Sequence, residues 1–134
     1  MNSQQRRFSL GDVPLTFRLS SAELNDGVVV VTVSGEADTH ASPQLQRELD
    51  GLTDHGARQL IIDLLETSFI DSAILGVLLR TARRMRAEGG DVALVSDDPR
   101  LLRTFEISGL VSQFRFERTL AGAIDHALTA SVSP

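Results

Sequence analysis

The spacing of apolar and polar positions changes period several times along the chain. Residues 15–19, Leu-Thr-Phe-Arg-Leu, alternate like a half-buried strand. Asn25-Asp26-Gly27 follows, a tripeptide that tolerates positive φ, and then Val28-Val29-Val30-Val31-Thr32-Val33, apolar on both sides. Together these predict an antiparallel hairpin whose second strand is covered on both faces. From there the pattern turns to helices alternating with short apolar runs. Ser42-Pro43 reads as N-cap and first helical position, Leu45, Leu49 and Leu52 share one face, and Gly56 ends the turn. Residues 60–64 and 92–95 read as buried strands, 114–116 as a last short strand. A second helix is expected from Ser72 to Glu88, stopped by Gly89-Gly90. A third is capped by Asp98-Pro99, with Leu101, Leu102 and Phe105 inward and Gly109 at its end; a fourth runs from the cap Thr119 to Leu128. Alternation with short connections predicts an α/β fold: a mixed sheet of one antiparallel hairpin plus parallel strands, with about four helices. Residues 1–14 are polar and aperiodic and are expected to form a flexible arm before a domain spanning 15–130.

The 134 residues, 42% apolar and 23% charged, suit one domain with a real core. Cysteine is absent, which excludes disulfides, a thiolate nucleophile and sulfur-ligated metals. All 13 basic residues are arginines, so the lysine of a phosphate loop is missing too. Against 18 carboxylates they leave a net charge of −5, which disfavours nucleic acid as a partner. The longest apolar stretch, residues 73–79, is far short of the ~20 needed to span a bilayer. Arg6-Arg7 is followed by no apolar export region, so a cytoplasmic protein is expected. No Gly-rich nucleotide fingerprint and no Gly-x-Ser-x-Gly elbow is present. His40, His55 and His126 lie apart, in loops or at helix ends, and are read as solvated. Asp97-Asp98 and Glu36 with Asp38 pair carboxylates only in loops. No catalytic residue, cofactor or metal site is expected, and an enzyme using Asp38 and Asp71 as acid and base is disfavoured.

Two loops remain, both at C-terminal ends of strands, where α/β folds place their sites. One is Gly35-Glu36-Ala37-Asp38, the other Glu66-Thr67-Ser68-Phe69-Ile70-Asp71-Ser72. Ser72 would open a helix, where free N–H groups and the dipole favour added negative charge. On a helical wheel Ile74, Leu75, Leu78, Leu79, Ala82 and Met85 form an apolar stripe. Ser72, Gly76, Arg80 and Arg83 fall opposite, so the Ser72 hydroxyl is expected to face water beside a flat surface at Gly76. On pattern alone, the favoured reading is that Asp71 or Ser72 simply caps the helix. The arginines further along that face read as solvated charges suited to the helix C-terminus.

The runs SGEADTHASPQLQREL, LIIDLLETSFIDSAILGVLLRTARRMRAEGGDVALVS and LLRTFEISGLVSQFRFERTLAGAI resemble, in order and spacing, the STAS domain of bacterial anti-sigma factor antagonists. The likeness covers residues 15–128 and is most specific around Phe69-Ile70-Asp71-Ser72. Gly35-Glu36-Ala37-Asp38 stands where the family shows Gly-Glu-Leu-Asp. Asp71-Ser72-Ala73-Ile74-Leu75-Gly76 stands for Asp-Ser-Ser-Gly-Leu-Gly, without the second hydroxyl and with isoleucine for the first glycine. The resemblance implies a single STAS-like domain that binds a kinase-type anti-sigma factor and releases the sigma factor. It implies phosphorylation of Ser72 by that partner, reversal by a protein phosphatase, and a partner surface including Asp38, Asp71, Ser72 and Gly76. The alternative it leaves is a STAS-like adaptor or scaffold that is not phosphorylated, or an accessory subunit of a lipid-transport complex.

Overall fold

In the computed structural model, which describes residues 17–131, strands and helices follow the expected alternation. Strand β1 (Arg18–Glu23) and β2 (Val28–Ala37) form the hairpin; α1 (Ser42–Asp54), β3 (Gln59–Ile70), α2 (Ser72–Ala87), β4 (Asp91–Val95), α3 (Pro99–Ile107), β5 (Arg115–Glu117) and α4 (Leu120–Ser131) complete the chain. The expected arm and the first residues of the expected opening strand lie outside the described residues. Among the described residues the strand begins at Arg18, after Phe17, and it is largely exposed rather than half-buried. It is, among the described residues, an edge strand held by β2 on one side, which leaves most of its side chains to solvent.

The sheet order is β1-β2-β3-β4-β5, antiparallel at β1·β2 and parallel thereafter. Each parallel step moves one place across the sheet in the same direction. Crossovers of one hand must then set every connecting helix on the same face. The core shows this: Leu45 and Leu49 of α1, Ile74 and Leu78 of α2, and Leu101 and Phe105 of α3 pack with Val29, Val31 and Val33. Among the described residues helix α4 covers the opposite face, with Ala123 and Ala127 against Val28, Val30 and Ile61. The valine run is therefore buried from both sides, as its unbroken apolar character predicts.

Local signals mostly act as expected. Asp26 (φ 59°) and Gly27 (φ 76°) make the hairpin turn. Asp98 accepts from the Arg100 N–H to open α3, and Thr119 Oγ1 accepts from the Gly122 N–H to open α4. Three assignments change. Ser42 does not cap α1; a short 3-10 turn, Thr39–Ala41, precedes it and is capped by Asp38. Leu102 points outward at 36% exposure, and on α2 Val77 and Thr81 join the buried face while Leu79 is only half-buried. The expected loop over residues 66–70 is strand: β3 continues to Ile70 alongside β2 as far as Ala37. Polar Glu66, Thr67 and Ser68 hide this strand from a periodicity reading, yet Thr67 is buried and its hydroxyl donates to the Val33 carbonyl at 2.7 Å. At the far end of the sheet, Phe105, Phe114 and Phe116 meet edge to face, with centroids 5.2–6.2 Å apart.

Candidate functional site at the start of helix α2

Strands β2 and β3 run side by side to Ala37 and Ile70, so the residues that follow emerge together. The Asp71 N–H donates to the Ala37 carbonyl at 3.3 Å, closing the sheet just below the site. Asp71 and Asp38 then do the same job on adjacent elements. Asp71 Oδ1 accepts from the N–H groups of Ala73 (3.0 Å) and Ile74 (3.2 Å), capping α2. Asp38 Oδ1 accepts from His40 (3.0 Å) and Ala41 (3.2 Å). Each satisfies backbone donors that a helix start leaves without partners. Thr39 links the two turns: its hydroxyl donates to Asp71 Oδ2.

These contacts fix the protonation of Asp71. Partial burial pushes its carboxyl up, but the Thr39 hydroxyl and the N–H groups of Ile74, Ala73 and Thr39 outweigh that and hold it below the ordinary 3.8. Because the folded value is lowered, its stabilising contribution is present above the ordinary carboxylate value and is lost as pH falls through the folded one. Asp71→Ala should cost about 1–2 kcal/mol, read as a lower urea midpoint at neutral pH. Asp71→Asn, an uncharged cap, should keep most of that stability and lose the acid-dependent part. A neutral-pH midpoint unchanged in Asp71→Ala would show that the cap is redundant.

Ser72 is the first residue of α2 and is exposed. Among the described residues its hydroxyl has no hydrogen-bond partner, so no described side chain activates it as a nucleophile. It is accessible to a reagent brought by another molecule. The residues that follow turn away from the surface: Ala73 is half-buried and Ile74 is 1% exposed, packed in the core. Isoleucine at that position fills volume under the helix start instead of standing in front of Ser72. Gly76 is less bare than the wheel suggests. The Arg80 guanidinium lies over it, 3.3 Å from where a Cβ would stand, while its other end donates to Gln46 Oε1 at 2.9 Å.

Of the four expected surface residues, the structure thus brings Asp38 and Asp71 together through Thr39, exposes Ser72, and roofs Gly76 with Arg80. The histidines are all accounted for: His40 beside Asp38, His55 on the Gly51 carbonyl, His126 on Glu117. No group of three or more His, Cys, Asp or Glu suited to a metal occurs among the described residues. No described helix is long and apolar enough to cross a membrane. Sequence reasoning missed Thr39, for which only its place next to Asp38 could have been a signal. It also missed the exposure of Leu65 and Phe69, which depends on how β3 is paired.

Comparison with known proteins gives this geometry a family. The profile of the STAS domain matches residues 20–123. The anti-sigma-B factor antagonist of Bacillus subtilis (strain 168) is 36% identical over 86 residues, 64% of this chain and 78% of that protein. The crystal structure of an anti-sigma factor antagonist from Mycobacterium paratuberculosis superposes with a TM-score of 0.76 at 28% identity, covering 84% of this chain and 94% of the other. The Bacillus cell fate determinant SpoIIAA, solved in its phosphorylated form, gives 0.65 at 29% identity over 82% and 97%. With the mixed sheet, the capped α2 and these relatives in place, the chain belongs to the STAS domain family of bacterial anti-sigma factor antagonists.

Proposed function

We propose that this protein works in the cytoplasm as a phosphorylation-controlled anti-sigma factor antagonist. In the unmodified state it binds an anti-sigma factor that is also a serine protein kinase, and the sigma factor is freed. The kinase transfers a phosphoryl group to Ser72, binding ends, and a phosphatase resets the switch. The supporting observation is the Ser72 hydroxyl, exposed and without a partner among the described residues, on the first turn of a 16-residue helix whose cap is already supplied by Asp71. That division of labour leaves the serine free for modification without loss of the cap. The relative SpoIIAA, solved both unphosphorylated and phosphorylated, supports the same reading.

Incubation with ATP and the cognate kinase, followed by mass spectrometry, tests it. One phosphoryl group on Ser72 is expected, and Ser72→Ala should accept none while still binding the kinase. Labelling at another residue, or undiminished labelling of Ser72→Ala, would reject Ser72 as the switch. Unchanged partner affinity in Ser72→Asp would instead favour a constitutive adaptor.

A further inference from the structure

Strand β3 departs from regular pairing just before Ser72. Its register against β2 shifts twice, between Thr32 and Ser34 and between Gly35 and Glu36, and each shift adds one residue to β3. Burial then follows a three-residue rhythm. Leu64, Thr67 and Ile70 are buried, and the pairs Leu65-Glu66 and Ser68-Phe69 are exposed. Strict alternation from Leu64 would have turned Glu66 and Ser68 inward; the bulges keep them outside beside the two apolar residues. Leu65 is 38% exposed and Phe69 48%. Strand β4 ends at Val95, opposite Asp63, so among the described residues the segment 64–70 has a strand on one side only.

Arg18 of β1 stands opposite Ser34, two strands across from Glu66, but the two segments that form this surface are acidic. Residues 35–42 and 64–72 contain four carboxylates, Glu36, Asp38, Glu66 and Asp71, and no arginine. Asp38 and Asp71 cap helical turns. Glu36 stands opposite Phe69 in the register, and Glu66 precedes Phe69 by three residues. Both are exposed, and among the described residues neither has an ion-pair partner.

We infer that Phe69 and Leu65 are the apolar anchors for the anti-sigma partner, and that Glu36 and Glu66 face cations on it. The partner surface is then an apolar recess rimmed by arginine or lysine. This rests on the functional reading above and adds to it which residues hold the partner. A half-exposed aromatic ring inside a charged margin has the anatomy of an interface hot spot. Carboxylates without counter-ions steer a basic surface and repel an acidic one. A second copy of this chain would bring like charges together on this face, and an anionic lipid surface would be repelled in the same way.

The test is binding of the purified, unphosphorylated chain to its cognate anti-sigma protein kinase, at low and at moderate salt. Phe69→Ala should weaken binding about 30-fold or more and Leu65→Ala about fivefold. Ile107→Ala, which truncates an apolar residue 74% exposed on α3, should change it by less than about twofold. Glu66→Arg should slow association about tenfold at low salt and less at higher salt. Circular dichroism and urea midpoints separate a lost contact from a lost fold, and Phe69→Leu, apolar but smaller, should retain binding within about fivefold. If Phe69→Ala binds within twofold of wild type while Ser72→Asp does not bind, the anchors lie elsewhere and the functional reading stands. If the wild-type chain does not bind the kinase, that reading fails and this surface fails with it.

Discussion

Phosphorylated at Ser72, the chain should bind its anti-sigma partner on the order of 10³-fold or more weakly than the unmodified chain, with no change of fold. The modification adds about −1.5 to −2 charge at neutral pH. In the free domain the start of α2 tolerates it, because the helix dipole favours an anion there by about 0.3–1 kcal/mol. Water completes the solvation of the exposed group. In a complex the phosphate is desolvated next to Asp71, within segments that hold four carboxylates and no arginine. The first arginine of α2, Arg80, lays its guanidinium over Gly76, four residues or about 6 Å along the helix from Ser72, and already donates to Gln46. An interface shaped around a hydroxyl also lacks volume for three further oxygens. Burial of an uncompensated dianion costs several kcal/mol, and turning a 99:1 population into 1:99 needs about 5.5. Calorimetry on the wild-type and phosphorylated chains, with circular dichroism as the control for folding, reads the effect directly. Affinities within threefold of one another would remove electrostatic exclusion as the basis of the switch.

The largest effect on folding is expected at Gly90, in the turn from α2 into β4. A Cβ there would lie 2.3 Å from the Arg58 carbonyl oxygen, 3.1 Å from its carbon and 3.1 Å from Met85 Cε. The oxygen cannot step aside, because it accepts the Asp91 N–H at 3.0 Å where β4 begins to pair with β3. Gly90 is held from the other side too, its N–H donating to the Met85 carbonyl at 2.7 Å. Gly90→Ala must therefore move β4 away from β3 or deform the end of α2. We expect a loss of about 3 kcal/mol or more, near 10 °C in melting temperature. Gly89 supplies the contrast. A Cβ there meets nothing within 4 Å, but the residue has φ +87°, so Gly89→Ala should cost only the backbone strain, about 1 kcal/mol. Equal losses at the two positions would mean that the close approach at Gly90 relaxes without cost.

The parts of this molecule that could be read from the chain are those where one residue type meets one local demand. Val28–Val33 had to be covered twice, Asp26-Gly27 had to turn, Asp98 had to cap, and Asp71 or Ser72 was the cap of α2, because each statement depends on a few neighbouring residues. The orientation of Ser72 followed from the apolar stripe of α2 in the same way. What stayed hidden depends on partners distant in sequence. That β3 extends through Glu66, Thr67 and Ser68 is a consequence of pairing with residues 34–37 of β2, and the bulges that set its exposure exist only in that pairing. The bond from Thr39 to Asp71 joins residues 32 positions apart. Arg80 over Gly76 needs Gln46 of α1 to hold its other end, which a wheel of α2 alone does not contain.

The edge-to-face trio of phenylalanines has an optical consequence. Tryptophan and tyrosine are absent, so intrinsic near-ultraviolet signals come from phenylalanine alone. Three of the six rings sit locked together between α3 and β5, and Phe69 is outside that trio. Near-ultraviolet dichroism of the native chain thus reports chiefly on order around α3 and β5, and conventional emission dyes aside, the neighbourhood of Ser72 is spectroscopically dark. A single tryptophan introduced in place of Phe69 would give that region its own fluorophore against an almost silent background.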